Sequence, residues 1–99
     1  MILYNVTVSV DPSIANEWLK WMKTSHIPEV LATGLFDSNQ LYKVLLQEED
    51  SITYSVQYFT TSMARLQQYH AKYAQELQAK HVNKFGNKAV AFRTVLETV

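Results

Sequence analysis

Three histidines are the side chains best suited to acid–base chemistry in this sequence, which contains no cysteine. His26 is followed by Glu29, a spacing that brings an imidazole and a carboxylate onto one face of a helix. Such a pair can bind a metal ion or transfer a proton, although most pairs at this spacing occur by chance. The sequence has no glycine-rich phosphate loop, no nucleophile elbow and no His-x-His pair. His26 is therefore the residue nearest to a general-base role, and we expect no metal site.

The other two histidines fall in a predicted second helix, and each has a structural explanation. The spacing predicts an inward-facing stripe on that helix formed by Met63, Leu66, His70, Tyr73 and Leu77. A histidine in such a stripe is either a core residue hydrogen-bonded to a tyrosine or part of a pocket. His81 lies near the predicted end of the helix, where an imidazole interacts favourably with the helix C-terminus.

The elements that would position these residues follow one another in the order βαββαβ. Alternation of apolar and polar residues predicts the strands, and helical periodicity predicts the helices. The expected strands span residues 2–10, 41–47, 51–60 and 88–98, and the expected second helix spans about 62–82. An acidic turn is expected at 48–50 and a further turn at 85–87.

The first helix should begin at Asp11-Pro12, because aspartate favours the N-cap and proline the first helical position. Pro28 disfavours helical geometry at the residue before it and removes a hydrogen-bond donor. We therefore expect the helix to break or bend near His26. One further turn would then end at Gly34, since glycine is common just after a helix C-terminus.

This order predicts a single α+β domain of the ferredoxin-like type, spanning residues 1–99. Right-handed crossovers place four antiparallel strands in the order 4-1-3-2, with both helices on one face. On strands 1, 3 and 4 the even-numbered residues are the more apolar set, so we expect them to face the helices.

The topology brings polar-tipped aromatic residues together at one end of the layer between sheet and helices. Tyr4 comes from the start of strand 1, Tyr58 from the end of strand 3, and His26 from the end of the first helix. Leucine or valine would serve an ordinary core, because every buried hydroxyl or imidazole needs a partner. The cluster is either a satisfied aromatic core or a small apolar pocket with a few polar groups. The candidate ligand-binding residues are Tyr4, Trp21, His26, Tyr58 and His70.

The opposite face of the sheet is small, polar and uncharged on its central strands. It carries Asn5, Thr7, Thr53, Ser55 and Gln57, and charged residues, Lys43 and Arg93, are expected on it only at the outer strands. A sheet face open to water usually carries charge. This face is therefore either a solvated surface rich in serine and threonine or the contact surface of a homodimer, which would complement the modest core of a 99-residue chain.

The composition argues against several classes of partner. Nine basic and nine acidic residues cancel, which leaves no electrostatic footprint for nucleic acid or an anionic membrane. No segment approaches the roughly 20 apolar residues of a membrane span. The N-terminal residues alternate and lack the basic and apolar regions of a signal peptide. We expect a cytoplasmic protein without a cofactor, a nucleic-acid partner or a membrane partner.

A first strand, a tryptophan-containing helix, a His-Ile-Pro segment and Gly-Leu-Phe before strand 2 together resemble the dimeric α+β barrel superfamily. That superfamily includes antibiotic-biosynthesis-type monooxygenases, muconolactone isomerases and stress-responsive barrel proteins. The segments YNVTV, EWLKWMKTSHIPEVLATGLF, TYSVQY and NKFGNKAVAFRT are similar to a small bacterial family of unknown function within it. The resemblance implies a homodimer, an α+β barrel whose two sheets pack face to face. It also implies that a ligand would bind between the sheet and the helices of each subunit.

The resemblance carries over no activity, because members of the superfamily catalyse different reactions or have no known reaction. Two hypotheses from different classes stay open. The first is a homodimer that binds a small apolar or aromatic molecule, or acts structurally, without catalysis. The second is a cofactor-independent monooxygenase or isomerase in which His26 is the base and tyrosines orient the substrate.

Overall fold

The computed structural model describes residues 1–45 and 50–99. Its strands are β1 (Ile2–Val10), β2 (Ser38–Lys43), β3 (Ile52–Thr60) and β4 (Ala89–Glu97). Its α-helical segments are α1 (Ala15–Trp21), α2 (Ile27–Ala32), α3 (Met63–Tyr69) and α4 (Gln75–Phe85). A π-helical turn, Met22–His26, joins α1 to α2, and a second, His70–Ala74, joins α3 to α4. The chain therefore forms two continuous helices, which we call the first and the second helix.

The sheet confirms the predicted ferredoxin-like topology. Its strands lie in the order β2-β3-β1-β4 and all pairs are antiparallel, which is the order 4-1-3-2 read from the other edge. β1 pairs with β3 along its whole length, from Ile2 opposite Thr60 to Val10 opposite Ile52. Residues directly opposite each other point to the same face. The even-numbered residues of β1 and β3 thus share the face that the helices cover, as expected from their alternation.

The first helix does not break at the proline, so that part of the prediction was wrong, and the irregularity near His26 is a π turn within a continuous helix. His26 and Ile27 both keep right-handed helical dihedral angles, and the Ile27 N–H donates to the Met22 carbonyl five residues back. A wider turn relieves the clash between the Pro28 ring and the carbonyls before it. The π turn also adds one residue to the apolar repeat, so that Met22 and Ile27 are both buried.

The second helix contains the same irregularity, and only part of the predicted stripe is buried. The buried positions of this helix are Leu66, Tyr69, Ala74, Leu77, His81 and Phe85. The five-residue step from Tyr69 to Ala74 spans the π turn and rotates the later positions by one residue. Leu66 and Leu77 are therefore buried as predicted, whereas His70 and Tyr73 at the π turn and Met63 in the first turn are exposed, contrary to the prediction.

The outer strands also place their residues differently from the prediction. Arg93 lies opposite Val6 and Ala91 lies opposite Val8, so the odd-numbered residues of β4 face the helices. Lys43 lies opposite Tyr54 and shares the same side. Both faces of strand 4 are apolar in sequence, so alternation alone could not choose between them, whereas the pairing with β1 does.

Three helix ends have the capping residues that the sequence predicted. The Asp11 carboxylate accepts from the Ser13 N–H at 2.9 Å, ahead of a short 3₁₀ turn. The Ser62 hydroxyl accepts from the Arg65 N–H at the start of the second helix. Gly34, with φ of 77°, follows the end of the first helix, as expected.

Two boundaries differ from the prediction. The second helix continues to Phe85, where Gly86 with φ of 57° ends it. β2 begins at Ser38 and ends at Lys43, where the prediction was 41–47. The sequence did not reveal its first three residues as part of a strand, because all three are polar, yet they pair with β3. Residues 46–49, which hold the end of the predicted strand and most of the predicted acidic turn, lie outside the described residues.

Trp18 fixes the first helix on the sheet. Its side chain is 0% exposed and its ring stacks on Tyr54, with centroids 4.8 Å apart. None of the helices within residues 1–45 and 50–99 combines the length and the apolar character needed to cross a membrane.

Candidate ligand site between the sheet and the helices

A cavity of about 30 Å³ lies between the centre of the sheet and the two helices. β1, β3 and β4 supply one wall, and the turns around the two π-helical segments supply the other. The lining residues are Tyr4, Val6, Val8, Met22, His26, Val30, Val56, Tyr58, Tyr69, Gln78, His81, Ala91 and Arg93. A space of this size admits about one or two water molecules. A larger molecule therefore enters only if a lining side chain moves.

Three tyrosine hydroxyls surround the cavity. The ring of Tyr4 lies 6.2 Å from that of Tyr58 and 6.0 Å from that of Tyr69. Burial raises the pKa of all three phenols, and the charge of Arg93 opposes that rise at Tyr4 and Tyr69. Each therefore stays protonated near neutral pH and keeps an O–H to donate.

His26 is the last residue of the first π turn, a type of irregularity that is frequent at functional sites. Its ring stacks on Trp21 with centroids 4.9 Å apart and an angle of 24° between the planes. Burial, and next the neighbouring His81, lower the pKa of His26 from 6.5 to about 4. The imidazole is therefore neutral near pH 7, where it can accept one hydrogen bond and donate another.

His81 has a fixed hydrogen-bonding state. The Trp18 indole N–H donates to His81 Nε2 at 2.9 Å, in a buried contact that joins the two helices. Because an indole nitrogen can only donate, Nε2 must be unprotonated and the proton must sit on Nδ1. Burial, and then the charge of Arg93, lower the pKa of His81, which agrees with a neutral ring. His81 thus acts as an oriented N–H donor in the wall of the cavity.

Two buried polar atoms of the lining residues have no hydrogen-bond partner among the described residues. They are His26 Nδ1 and Tyr58 Oη. Leaving a buried donor or acceptor unpaired costs about 1–3 kcal/mol, so such atoms are uncommon in a core built only for stability. Both residues line the cavity, so a ligand that moves their side chains could satisfy these atoms.

The comparisons with known proteins place this chain in a family. The family model described as "Domain of unknown function (DUF4286)" matches residues 1–99. The chain belongs to this family. No protein with a curated description matches this DUF4286 chain in sequence.

Solved structures share its fold. HapK from Hahella chejuensis matches with a TM-score of 0.71 and 15% identity, covering 100% of this chain and 93% of that one. A candidate antibiotic biosynthesis monooxygenase from Deinococcus radiodurans matches with a TM-score of 0.67 and 16% identity over the same shares. An ethyl tert-butyl ether d (ethd) family protein from Bacillus halodurans matches with a TM-score of 0.66 and 16% identity, covering both chains completely. These matches show that the chain shares the fold of these proteins.

Within this DUF4286 chain, the predicted site residues lie in different places. Tyr4, His26 and Tyr58 line the cavity together. Trp21 lies outside the lining and supports the His26 ring. His70 is exposed; its ring contacts Tyr4 edge-on at 5.2 Å, and its Nδ1 lies 3.1 Å from the Leu66 carbonyl oxygen.

Sequence reasoning missed His81 and Arg93 as cavity residues. The π turn in the second helix brings His81 inward, and the register of β4 turns Arg93 toward the helices. One signal in the sequence could have revealed that His81 faces inward. It is the five-residue step between Tyr69 and Ala74 in the apolar series Leu66, Tyr69, Ala74 and Leu77. For Arg93, only strand pairing distinguishes the two faces.

Glu29, the carboxylate of the predicted His26 and Glu29 pair, forms an ion pair with Lys80. Glu29 Oε2 accepts from Lys80 Nζ at 2.7 Å on the outer surface. Within residues 1–45 and 50–99, no group of three or more potential ligand side chains lies close enough to hold a metal ion.

The other face of the sheet, which we call the open face, is uncharged on all four described strands. Its central polar groups bond to one another: Ser55 Oγ donates to Asn5 Oδ1 at 2.6 Å, and Asn5 Nδ2 donates to Thr7 Oγ1 at 3.0 Å. On β4, large apolar side chains extend this face into solvent, with exposures of 58%, 64% and 46% for Val90, Phe92 and Leu96.

Proposed function

We propose that this DUF4286 protein is a homodimer that binds a small apolar or aromatic molecule between the sheet and the helices of each subunit. The observation that carries the proposal is the pair of unpartnered buried atoms, His26 Nδ1 and Tyr58 Oη, on residues that line one cavity. A ligand with one acceptor and one donor would satisfy both atoms. Its apolar part would contact the aliphatic side chains of the sheet, such as Val56.

The size of the cavity implies an opening step. Most lining side chains are buried, whereas Arg93 is exposed, so the end of the cavity at Arg93 is nearest to solvent. Rotation of this one flexible side chain would enlarge the cavity without repacking the core. Binding would then displace water and stabilise the folded protein.

A thermal-shift screen of small aromatic molecules tests this proposal. Compounds that raise the melting temperature are then measured on Tyr58→Phe and on the control Tyr73→Phe, whose side chain is exposed and does not line the cavity. We expect the shift to persist in the control and to fall in Tyr58→Phe, because that variant lacks the free hydroxyl. A screen without hits, or equal shifts in both variants, would refute the ligand site.

The homodimer is proposed through the open face, centred on Asn5, Thr7, Thr53, Ser55 and Gln57. Monomeric proteins seldom expose large contiguous apolar patches, and β4 exposes Val90, Phe92 and Leu96 side by side on this face. A two-fold axis would bring the same uncharged surface of a second copy against it, so no charge would be buried.

A cofactor-independent monooxygenase or isomerase is the second candidate function. It is favoured by the neutral His26 imidazole, whose unpartnered Nδ1 could take a proton from a bound substrate. A base with a pKa of about 4 is weak near pH 7, so substrate binding would have to raise the pKa of His26 for efficient transfer. Once a ligand is known, turnover by His26→Ala tests this role, and an unchanged rate would eliminate His26 as the base.

A further inference from the structure

We infer that the cavity selects a small planar anion, a carboxylate or an enolate, and that Arg93 is the residue that determines this selectivity. The inference rests on the proposed ligand site and names the chemical class of its ligand. It depends on the charge balance of the lining, on the hydrogen-bonding groups that face the cavity, and on the position of Arg93 at its exposed end.

The charge balance of the lining is uncompensated. Among the described lining residues, Arg93 is the one that carries a formal charge near neutral pH, because they include no aspartate, glutamate or lysine. The ion pairs found within residues 1–45 and 50–99 join Arg65 to Asp37, Lys80 to Glu29 and Lys84 to Glu17, and none of them involves Arg93. A ligand with a negative charge would supply the missing counter-ion.

The field of this cation reaches the other polar groups of the site. The Arg93 charge lowers the pKa of Tyr4 and of Tyr69 against the effect of burial, and it adds to burial in lowering the pKa of His26 and of His81. The same field stabilises a negative charge on a ligand placed among these groups. It acts on four lining residues from both helices and from β1, which is consistent with a guanidinium directed toward the cavity.

The hydrogen-bonding groups of the lining are mostly donors. The phenols of Tyr4, Tyr58 and Tyr69 keep their protons, His81 carries its proton on Nδ1, and Arg93 can only donate. Within the described lining, the groups that can accept are the phenol oxygens, the imidazole of His26 and the Gln78 side-chain oxygen. A carboxylate has two oxygens that accept in one plane, which matches the fork of an arginine and the nearby hydroxyls, and an enolate has one oxygen that can accept from the same groups.

The residues beside Arg93 on the same side of β4 are apolar, so a charged residue at this position is unexpected. Position 93 lies on the helix-facing side of β4, where its neighbours at 89, 91 and 95 are Ala89, Ala91 and Val95. An aliphatic residue would continue that apolar row and would leave this part of the lining without a charge. Arginine instead places a charge beside a partly enclosed space, at a cost that is recovered when an anion binds.

Matched acid and amide probes test the inference. Titrations of ¹⁵N-labelled protein with benzoate and benzamide, and with acetate and acetamide, would give dissociation constants from the shifts of cavity residues at about pH 7. Each pair differs in charge but hardly in shape, and the smaller pair enters the cavity with the least movement. We expect each acid to bind about tenfold more tightly than its amide, as for a partly exposed charge-assisted pair.

Variants assign that preference to one residue. In Arg93→Gln the preference for the acid should fall to within about twofold, whereas Arg93→Lys should retain part of it. The control Arg65→Gln removes an equal charge at the Asp37 ion pair, away from the cavity, and should keep the wild-type preference. Heteronuclear spectra of each variant report directly whether it is folded.

The outcomes separate this inference from the proposed function. Equal affinities of acid and amide in the wild-type protein would overturn the anion selectivity and leave the ligand site standing. A preference that survives in Arg93→Gln would overturn the role of Arg93. If no probe shifts the cavity residues, both the inference and the ligand site for molecules of this class are refuted.

Discussion

The two faces of this sheet are built from the same alternating strands and carry opposite chemistry. The helix-facing side gathers tyrosines, two imidazoles and a guanidinium around a cavity. The open face has no charge on its described strands, satisfies its central polar groups internally, and exposes apolar side chains on β4. The chain's own helices cover the first face, whereas the proposed second copy would cover the second. Substitutions should therefore affect folding on one side and association on the other.

The largest contrast should come from a pair of aromatic truncations, Trp18→Ala on the helix side and Phe92→Ala on the open face. Trp18 is fully buried, so its loss should lower the free energy of unfolding by about 3–5 kcal/mol. Phe92 is 64% exposed within one chain, so its loss should cost the monomer less than about 1 kcal/mol. Urea denaturation at low protein concentration measures both, and equal costs would break the contrast.

The next effect concerns association. Phe92→Asp would put a charge at a two-fold contact in both copies and should weaken the proposed dimer by about 2–4 kcal/mol. Light scattering at micromolar concentration should report about twice the chain mass of 11.4 kDa for the wild type and the single mass for the variant. The control Val82→Asp, at an exposed position on the second helix, should stay dimeric. A monomeric wild-type protein would refute the dimer.

The stability of the protein should depend on pH through the buried histidines on the helix side of the sheet. His26 has a pKa of about 4 when folded and 6.5 as its ordinary value, so between these values the unfolded chain binds more protons than the folded one. Its contribution to stability is thus complete above about pH 6.5 and is lost as the pH falls toward 4. His26 alone should account for about 2 kcal/mol of lost stability between pH 7 and pH 5, with His81 acting in the same direction.

Denaturation at several pH values measures this slope. His26→Gln should flatten it, because glutamine does not titrate, and His70→Gln is the control at an exposed position. An unchanged slope in His26→Gln would show that the buried imidazole is not the source.

The smallest predicted effect distinguishes two buried hydroxyls. Tyr58 Oη has no hydrogen-bond partner among residues 1–45 and 50–99, so Tyr58→Phe should leave the stability of the ligand-free protein unchanged or raise it by up to about 1 kcal/mol. Thr60 Oγ1 donates to the Leu35 carbonyl at 2.8 Å, so Thr60→Val should destabilise by about 1 kcal/mol. A clear loss of stability in Tyr58→Phe would mean that its hydroxyl is already satisfied.

Local signals in the sequence were sufficient to predict the strand order and to place the two tyrosines that β1 and β3 contribute to the cavity. β1 and β3 alternate cleanly, so Tyr4 and Tyr58 could be placed on the same face and at the same end before the structure was known. Asp11, Ser62 and Gly34 marked the ends of helices through their capping preferences. These signals depend only on neighbouring residues, which is why they could be read directly.

The remaining site residues depend on features that a regular repeat does not contain. Each π turn inserts one residue, which moved His81 inward and His70 outward and kept the first helix continuous through Pro28. The face of Arg93 follows from pairing with β1, since β4 is apolar on both sides. The end of the layer that holds the cavity could therefore be located from the sequence, but the positions of Arg93 and His81 in its lining could not.

A crystal structure of the protein grown with benzoate would show the cavity and its ligand together. The carboxylate should lie at the Arg93 end of the cavity, within about 3.2 Å of the guanidinium. Ligand or ordered water should also lie within hydrogen-bonding distance of Tyr58 Oη and His26 Nδ1. A cavity closed by packed side chains, with these two atoms bonded to other protein groups and benzoate absent, would contradict the proposed ligand site.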